Sequence, residues 1–348
     1  MVGVPVIQLV LFGYAINTDP RQLPMAVVQA DHSEFSRSLI AGLQNSSYFR
    51  VTAQPRSEAE GNRLLDEGRA QFLLVIPPDF SRRLLRGEQP AVLLAADATD
   101  PAASGNALAA VTAIARNVLA RDLNGPLQAL QPANPPFEVR VQRRYNPEGI
   151  SRYNIVPGLI GVILTMTMVM MTALAMTRER ERGTMENLLA TPVKPLEVMV
   201  GKIAPYILIG YVQVAVVLVA ARLLFEVPMV GSLVLLSVVL IVFMAATLAV
   251  GFTFSTIAKN QLQAMQLTFF FFLPSILLSG FMFPFRGMPA WAQAIGEALP
   301  LTHFLRIVRG IMLKGNGAME ILPSVWPIAL FMLGAGAIAL MRYRQTLD

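Results

Sequence analysis

Residues 154–202 read NIVPGLIGVILTMTMVMMTALAMTRERERGTMENLLATPVKPLEVMVGK. The first 23 of these residues, 154–176, contain no Asp, Glu, Lys or Arg, and the alternating charges RERER follow at 178–182. A helix needs about 20 apolar residues to cross a bilayer. The stretch therefore predicts a spanning helix that leaves the membrane through a short, strongly charged segment.

Four further apolar stretches lack the same four charged residue types. They are 19 to 25 residues long and lie at 203–221, 230–254, 264–285 and 321–341. Hydrophobic residues make up 54% of the 348 residues and charged residues 14%, whereas about a quarter of a soluble domain is charged. We therefore expect a polytopic α-helical membrane protein, because uncharged runs of this length are rare in soluble folds.

The N-terminal stretch is shorter. Residues 2–16 (VGVPVIQLVLFGYAI) are only 15 mostly apolar residues, without the basic region and small-residue cleavage site of a signal peptide. We expect residues 1–16 to be the remnant of a first transmembrane helix whose beginning precedes this chain. That makes six spans with the first truncated. A short interfacial helix is the alternative.

Residues 17–153 have a different character. They hold 15 Arg, no Lys and 14 Asp plus Glu, so their net charge is close to zero. Strand-like runs (MAVVQAD, YFRVTAQ, QFLLVIPP, AVLLAADATD, FEVRVQRRYN) alternate with helix-like runs, the last of them extending from about residue 102 to 130. Such alternation favours helices packed on a sheet. We expect an α/β domain over 17–153 and a transmembrane domain over 154–348.

The composition excludes several kinds of catalytic and metal site. The chain has no cysteine, and His32 and His303 are too far apart in sequence to suggest a metal site. Asp31, Asp97 and Asp100 are isolated carboxylates that we expect to cap helices. Residues 310–317 (GIMLKGNG) lack the Lys-Ser/Thr ending of a phosphate-binding loop, so the sequence shows no ATPase site.

The basic residues of the short loops predict the orientation. Eight lie on the side of 177–202 and five on the opposite side. Cytoplasmic loops are enriched in Lys and Arg, and long translocated domains do not count. We therefore expect the loop 177–202 to be cytoplasmic and the domain 17–153 to be extracytoplasmic.

The loop 177–202 has the pattern of a short helix held between two spans. Gly183 can end the charged helix and Thr184 can cap a new one. Met185, Leu188 and Leu189 follow at helical spacing and form an apolar stripe. Thr191-Pro192 stops this helix, and Pro195 suits the first turn of the next one. A solvated loop with positive-inside anchors is the plainer alternative.

This stretch resembles the intracellular signature of the type-2 ATP-binding-cassette exporter permeases, the ABC-2 family. The similarity rests on the charged run, Gly183-Thr184-Met185-Glu186, Thr191-Pro192 and Gly201-Lys202. Residues 281–315 are similar to the family's external segment, through Pro284, Met288-Pro289-Ala290-Trp291, Leu299-Pro300 and Arg309-Gly310. LFGYAINTDPRQLPMAVVQAD, residues 11–31, resembles the subgroup with a large extracytoplasmic domain between the first two spans.

The resemblance implies an ABC-2, type V exporter-like permease in the bacterial inner membrane, without an ATPase site or a bound cofactor. ATP and Mg would be used by a separate cytoplasmic ABC ATPase. The other implied partners are a second permease, as a homo- or heterodimer, a periplasmic adaptor protein and membrane lipids, but no nucleic acid. The implied ATPase-coupling residues are Arg178, Glu179, Arg180, Glu181, Arg182, Gly183, Thr184, Met185, Glu186, Leu188, Leu189, Thr191 and Pro192.

Residues 286–320 form the external amphipathic segment of this scheme. Charged Arg306 and Arg309 lie among apolar residues in a pattern typical of a helix that dips into the outer leaflet or lies along it. Two roles stay open, a lateral gate for substrate release and an interfacial anchor. The gate candidates are Pro284, Met288, Pro289, Trp291, Pro300, Arg306 and Arg309.

Two functions from different classes are compatible with the sequence. The first is the permease subunit of an exporter for hydrophobic or amphipathic compounds, drug-like molecules or lipids. The second is a membrane scaffold that does not transport and whose external domain recruits envelope partners. An enzyme is disfavoured, because residues 17–153 contain no nucleophile elbow, metal-ligand cluster or dinucleotide-binding turn.

Overall fold

A computed structural model describes residues 19–123, 135–182 and 195–342. The expected remnant of a first span and the predicted coupling residues 183–192 lie outside these ranges. The chain divides into two compact units, Asn17–Asn154 and Ile155–Asp348, and each is described by itself.

The first unit is built on a five-stranded sheet in the order β2-β1-β3-β4-β5. β1 pairs in parallel with β2 and β3, β4 pairs in parallel with β5, and β3 and β4 are antiparallel. The strands are β1 (Leu23–Gln29), β2 (Phe49–Ala53), β3 (Phe72–Ile76), β4 (Ala91–Asp97) and β5 (Glu138–Arg144). β1 and β3 are buried on both faces, which explains why their sequences are almost continuously apolar.

Helices cover both faces of the sheet. They are α1 (Glu34–Asn45), α2 (Glu58–Asp66), α3 (Phe80–Leu85) and α4 (Pro101–Asn117). Alternate residues of β1 point to opposite sides, so Met25 joins the core beneath α1, α3 and α4, while Ala26 joins the core with Leu65 of α2. The largest core contains Phe49 and Phe72 edge to face at 5.1 Å. Full burial of a side chain of this size contributes about 1.5–3 kcal/mol.

The predicted alternation of strands and helices is confirmed, since each of the five strand-like runs contains a strand. The long helix predicted over 102–130 is wrong at its end. α4 stops at Asn117 and turns continue to Leu123. The segment after Leu123 lies outside the described residues.

Two of the three expected aspartate caps are confirmed. Asp100 accepts hydrogen bonds from the backbone N–H groups of Ala102 and Ala103 at the start of α4. Asp31 reaches across the unit to the start of α3, accepting from the Ser81 N–H at 2.7 Å and the Ser81 hydroxyl at 2.6 Å. Asp97 caps no helix; it accepts from Thr99 and closes a turn after β4.

The second unit consists of long apolar helices. α5 (Ser151–Glu181), α6 (Pro195–Leu223), α7 (Leu233–Ile257), α8 (Gln261–Leu278) and α11 (Ala318–Arg342) are the five helices of the described ranges that are long and apolar enough to cross a membrane. Each contains most of one predicted span. α5 runs through the charged residues and α6 begins at Pro195, as the sequence predicts. Between α8 and α11 lie α9 (Ala290–Glu297) and α10 (Pro300–Arg309).

Two predicted span boundaries are wrong. The span predicted over 264–285 ends at Leu278, because Gly280 adopts a left-handed backbone with φ +82 that turns the chain out of the helix. The span predicted to start at residue 230 starts at Leu233. Ser232 caps α7, and the two residues before it bind another part of the backbone instead.

α7 lies in the centre of this unit and packs against α5 and α11. A Cβ atom at Gly251 of α7 would lie 2.5 Å from the carbonyl oxygen of Val169 in α5, so glycine permits this close approach. Thr253 of α7 donates a hydrogen bond to the carbonyl of Ala335 in α11. α6 and α11 keep many apolar side chains exposed, as expected of surfaces that face lipid or a partner.

The Asp31 network predicts a pH-dependent contribution to the stability of the first unit. Burial opposes ionisation of Asp31, but hydrogen bonds from Ser33 and Ser81 outweigh it and lower its pKa from 3.8 to about 2. This contribution is present above about pH 4 and is lost as the pH falls through 2. We expect Asp31→Ala to lower the unfolding free energy by about 1.5–3 kcal/mol at neutral pH, because hydrogen bonds to a charged group are lost.

Asp79→Ala is the matched control. Asp79 precedes the same helix α3 but makes no side-chain capping hydrogen bond. Thermal unfolding of the detergent-solubilised protein, followed through the β-sheet signal, measures both variants. Equal loss of stability in the two would contradict the role given to Asp31.

Candidate functional site

The charged end of α5 is bound to the turn between α7 and α8. The carboxylate of Glu181 accepts a hydrogen bond from the backbone N–H of Gln261 at 2.8 Å and another from the Gln261 side chain. Asn260 and Gln263 complete the cap of α8. A carboxylate is favourable there because the N-terminus of a helix carries a partial positive charge. Hydrogen bonds from Gln261 lower the pKa of Glu181.

The other members of the charged run differ in exposure where the structure describes their side chains. Arg178 and Arg182 are exposed and Glu179 is half-buried, while the backbone of Arg180 continues α5. The run therefore supplies a charged helix end in which Glu181 is bound to the start of α8. The rest of the predicted coupling set, Gly183, Thr184, Met185, Glu186, Leu188, Leu189, Thr191 and Pro192, lies outside the described residues.

A folded segment joins the end of α8 to the start of α11. It lies at the end of α8 that is opposite to the contact with Glu181. We call residues 279–317 the hairpin segment; it contains a 3-10 turn at Phe285–Gly287, α9, α10 and a π-helical turn at Gly310–Lys314. The beginning of the segment contacts the end of α10, since a guanidinium N–H of Arg309 donates to the carbonyl of Gly280 at 3.2 Å. The segment therefore folds back on itself between these two residues.

Side chains of α10 satisfy the carbonyl groups at the end of α9. The Thr302 hydroxyl donates to the Gly296 carbonyl at 2.6 Å, and Nε2 of His303 lies 2.8 Å from the Glu297 carbonyl. A carbonyl can only accept, so Nε2 carries the proton in this bond. The Gly296 carbonyl also accepts from the backbone N–H of Leu299 at 3.0 Å, so the side chains of α10 add to the capping of the last carbonyls of α9.

Charged groups strengthen the same turn. The Arg306 guanidinium makes a two-pronged pair with the Glu297 carboxylate, with one distance of 2.9 Å, and lies 4.7 Å from the centre of the Phe285 ring. Burial opposes ionisation of Glu297, but the Arg306 hydrogen bonds outweigh it and lower its pKa. Burial also lowers the pKa of His303, so the imidazole is neutral at pH 7. Nδ1 of His303 is buried without a hydrogen-bond partner among the described residues.

The apolar face of α10 packs into the helix bundle. Phe304 stacks on Phe243 of α7 with ring centres 4.1 Å apart and planes at 15°. Gly158 and Gly161 of α5 lie against side chains of the hairpin segment, where a Cβ at Gly161 would approach Phe304 to 2.7 Å. The amphipathic pattern is therefore confirmed, but its apolar side faces other helices rather than lipid.

The seven gate candidates all belong to this segment, in three places. Pro284 precedes the 3-10 turn and Pro289 precedes α9, where Met288 is buried against α8 and Trp291 is 41% exposed. Pro300 is buried in the first turn of α10. Arg306 and Arg309 bind Glu297 and Gly280, as described above.

Sequence reasoning missed the contacts of Glu297, Thr302, His303 and Gly280. The spacing offered a signal for the first two. Leu299-Pro300 marks a break between two helices, and polar residues on either side of such a break are candidates to satisfy its carbonyls. No pattern indicated that the Gly280 carbonyl would meet Arg309, which is 29 residues away.

Polar contacts between the spans are few. The Thr167 hydroxyl in α5 lies 3.0 Å from the side-chain oxygen of Gln213 in α6, and the Tyr211 hydroxyl binds the Ser237 carbonyl of α7 at 2.8 Å. No group of three or more His, Asp or Glu side chains suited to a metal ion occurs in the parts of the chain that the structure describes.

Comparison with known proteins agrees with this architecture. The profile of the ABC-2 family transporter proteins matches residues 1–341. The probable multidrug ABC transporter permease YbhS of Escherichia coli is 30% identical over 341 residues, which cover 97% of this chain and 88% of that protein. YbhR of the same organism is 28% identical over 339 residues, with 97% and 91% covered.

A more distant relative is longer. ABC transporter G family member 20 of Dictyostelium discoideum is 24% identical over 339 residues, which are 94% of this chain but 45% of that protein. The match of the family profile over nearly the whole chain and the five apolar helices lead to one conclusion: the chain belongs to the ABC-2 family of transporter proteins and is a multi-pass membrane permease.

Proposed function

We propose that this chain is the membrane-spanning subunit of an ATP-driven exporter that moves hydrophobic or amphipathic compounds out of the cell. One observation carries the proposal. The folded hairpin segment lies at one end of α8, and the charged end of α5 is hydrogen-bonded to the other end of α8 through Glu181. The names of YbhR and YbhS as probable multidrug permeases support the substrate class.

The charged end faces the cytoplasm in this proposal. Eight Lys and Arg residues belong to the loops and tail on that side, against five on the other. The α/β unit is then extracytoplasmic. The relative named inner membrane transport permease YhhJ, 30% identical over 341 residues, supports a bacterial inner membrane.

ATP hydrolysis belongs to a partner ATPase, which uses ATP and Mg. Residues 183–191 form a coupling helix that docks on the ATPase, with Met185, Leu188 and Leu189 in a pocket and Glu186 at its rim. The remaining partners are a second permease, a periplasmic adaptor and lipid. The longer Dictyostelium relative supports a permease that is one part of a larger machine, since more than half of its length is not matched here.

The hairpin segment is the external gate. Work applied at the coupling helix moves α5 and α6 directly and reaches α8 through Glu181. α8 leads into Gly280, whose carbonyl holds Arg309 at the end of α10. α10 is packed on α5 and α7. A tilt of these two helices therefore moves α10 and opens or closes the gate.

The coupling residues give the first functional test. Leu188→Ala with Leu189→Ala should lower ATP-dependent export at least about tenfold in proteoliposomes containing the ATPase, because truncating buried interface anchors costs about 2 kcal/mol or more. Leu330→Ala with Leu333→Ala, two exposed leucines of α11, is the control pair. Export at the wild-type rate in the Leu188/Leu189 variant would reject the coupling helix.

The orientation gives the second test, helped by the absence of cysteine from the chain. Single cysteines at Asn187 and at exposed Leu85 should react oppositely with an impermeant maleimide in intact cells. The cysteine at position 187 should be protected until the membrane is permeabilised, and the one at position 85 should be labelled at once. The reverse pattern would overturn the orientation and the exporter together.

The Glu297–Arg306 pair gives the test of the gate. Both side chains are partly exposed, so the pair contributes about 0.5–1 kcal/mol, and Glu297→Gln should change export by about two- to fivefold. The lowered pKa of Glu297 means that the contribution is complete above about pH 4.5 and is lost in stronger acid. The exchanged pair Glu297→Arg with Arg306→Glu should recover part of the activity. Identical export by all three proteins would exclude the pair from gating.

A further inference from the structure

The loop between α6 and α7 is bound to the π-helical turn that ends the hairpin segment. The backbone N–H of Val230 donates to the Met312 carbonyl at 2.9 Å, and that of Gly231 donates to the Ile311 carbonyl at 3.0 Å. We call these two hydrogen bonds the clamp. It joins backbone groups about 80 residues apart in sequence and lies directly before Ser232, the N-cap of α7. Residues 224–229 connect the clamp to the end of α6, and the backbone N–H of Val227 in this loop donates to the Ala221 carbonyl of α6 at 3.0 Å.

The clamp requires glycine at position 231. A Cβ atom there would lie 2.4 Å from the Ile311 carbonyl oxygen and 3.0 Å from its Cγ2. The first distance is far below a van der Waals contact, and the opposing atom belongs to the backbone. Any side chain at position 231 would therefore push residues 230–231 away from residues 311–312. Glycine is therefore required at position 231 because of this close contact, and not because of an unusual backbone conformation.

The π-helical turn is the connection between α10 and α11. It comprises Gly310–Lys314, and Gly315 follows in a left-handed conformation with φ 75. π-helical turns are rare, and those that occur are frequently at functional sites. In such a turn, carbonyl groups fall outside the regular α-helical hydrogen-bond pattern. The clamp supplies partners to two of these carbonyls, those of Ile311 and Met312. The clamp thus holds the point where α10 can change direction relative to α11.

α6 is well suited to move as a rod. Its side chains Leu208, Val212 and Val216 are 68%, 58% and 63% exposed. Among the side chains of α6 that the structure describes, Tyr211 and Gln213 make the polar contacts to α7 and α5 described above. A helix with so little buried surface tilts at lower cost than α7, which is packed on several sides.

We propose that the clamp transmits the movement of α6 to the hairpin segment, and that Gly231 is a positioning residue for transport. The inference rests on the proposed function, since it needs a coupling helix that moves α6 from its other end. It adds a second route from the ATPase to the gate, through α6, to the route through Glu181 and α8. The clamp acts as a permanent link and stays closed while α6 and the hairpin segment move together.

The test compares Gly231→Ala with Gly334→Ala in proteoliposomes containing the partner ATPase. A Cβ at Gly334 of α11 meets no atom within 4 Å, so this second variant controls for the loss of a membrane-helix glycine. Gly231→Ala should lower export about tenfold, because two hydrogen bonds are broken and each is worth roughly two- to tenfold in an equilibrium constant. ATP turnover should persist, and Gly334→Ala should export normally.

A disulfide distinguishes a broken link from a misfolded protein. A Cβ built at Gly315 lies 3.8 Å from the Cβ of Val230, which is the usual separation across a disulfide, and the chain has no other cysteine. A side chain at Gly315 is strained because its φ is +75, so the reduced Val230→Cys with Gly315→Cys protein is the reference, and oxidation should leave its export unchanged. Added to Gly231→Ala, the oxidised pair should restore export, and a reductant should abolish the recovery.

Each outcome decides the proposal. Normal export by Gly231→Ala, or a loss that the disulfide does not reverse, overturns the clamp while ATP-dependent export by the wild type still upholds the proposed function. Inhibition by the disulfide in the Gly231 background also overturns it, because a link that must open cannot be the permanent one proposed. Absence of ATP-dependent export by the wild type overturns both proposals.

Discussion

A backbone that crosses a bilayer must satisfy its polar groups within the protein, because hydrocarbon offers them no partners. The five long helices meet this requirement through their own hydrogen bonds. The hairpin segment cannot do so, since it turns several times between α8 and α11. The carbonyls of Gly280, Gly296, Glu297, Ile311 and Met312 each accept a hydrogen bond from a side chain or from another part of the backbone.

The same requirement explains where the polar residues of the membrane unit occur. Charged residues are confined to the ends of the spanning helices, whereas threonine hydroxyl groups within the spans bind their own helix backbone, as at Thr165 and Thr172. Glu181 satisfies the start of α8, Ser232 satisfies the start of α7, and Thr302 and His303 satisfy the end of α9. The contacts of Glu181, Thr302 and His303 also join two elements, whereas Ser232 caps its own helix. The contacts between elements are therefore the places where movement of one helix can displace another.

The α/β unit is stabilised differently, because its sheet and helices enclose apolar cores of their own. Burial of apolar side chains on both faces of β1 and β3 supplies the main stabilisation. Its polar contacts have the role of caps, as at Asp31 and Asp100. Charged residues are numerous on its exposed edge strand β5 but scarce in the spans.

Local pattern alone was sufficient for the five apolar helices, the strand order along the chain, the start of α6 at Pro195 and the amphipathic character of α10, because solvent preference and backbone geometry act over a few residues. The contacts that make the hairpin segment a unit depended on the assembled fold. Glu297 and Arg306 are nine residues apart, Gly280 and Arg309 are 29 apart, and Gly231 and Ile311 are further apart still. The pattern of α10 indicated an apolar face but could not distinguish lipid from Phe243 as its neighbour, because both are equally apolar and only packing in three dimensions selects between them.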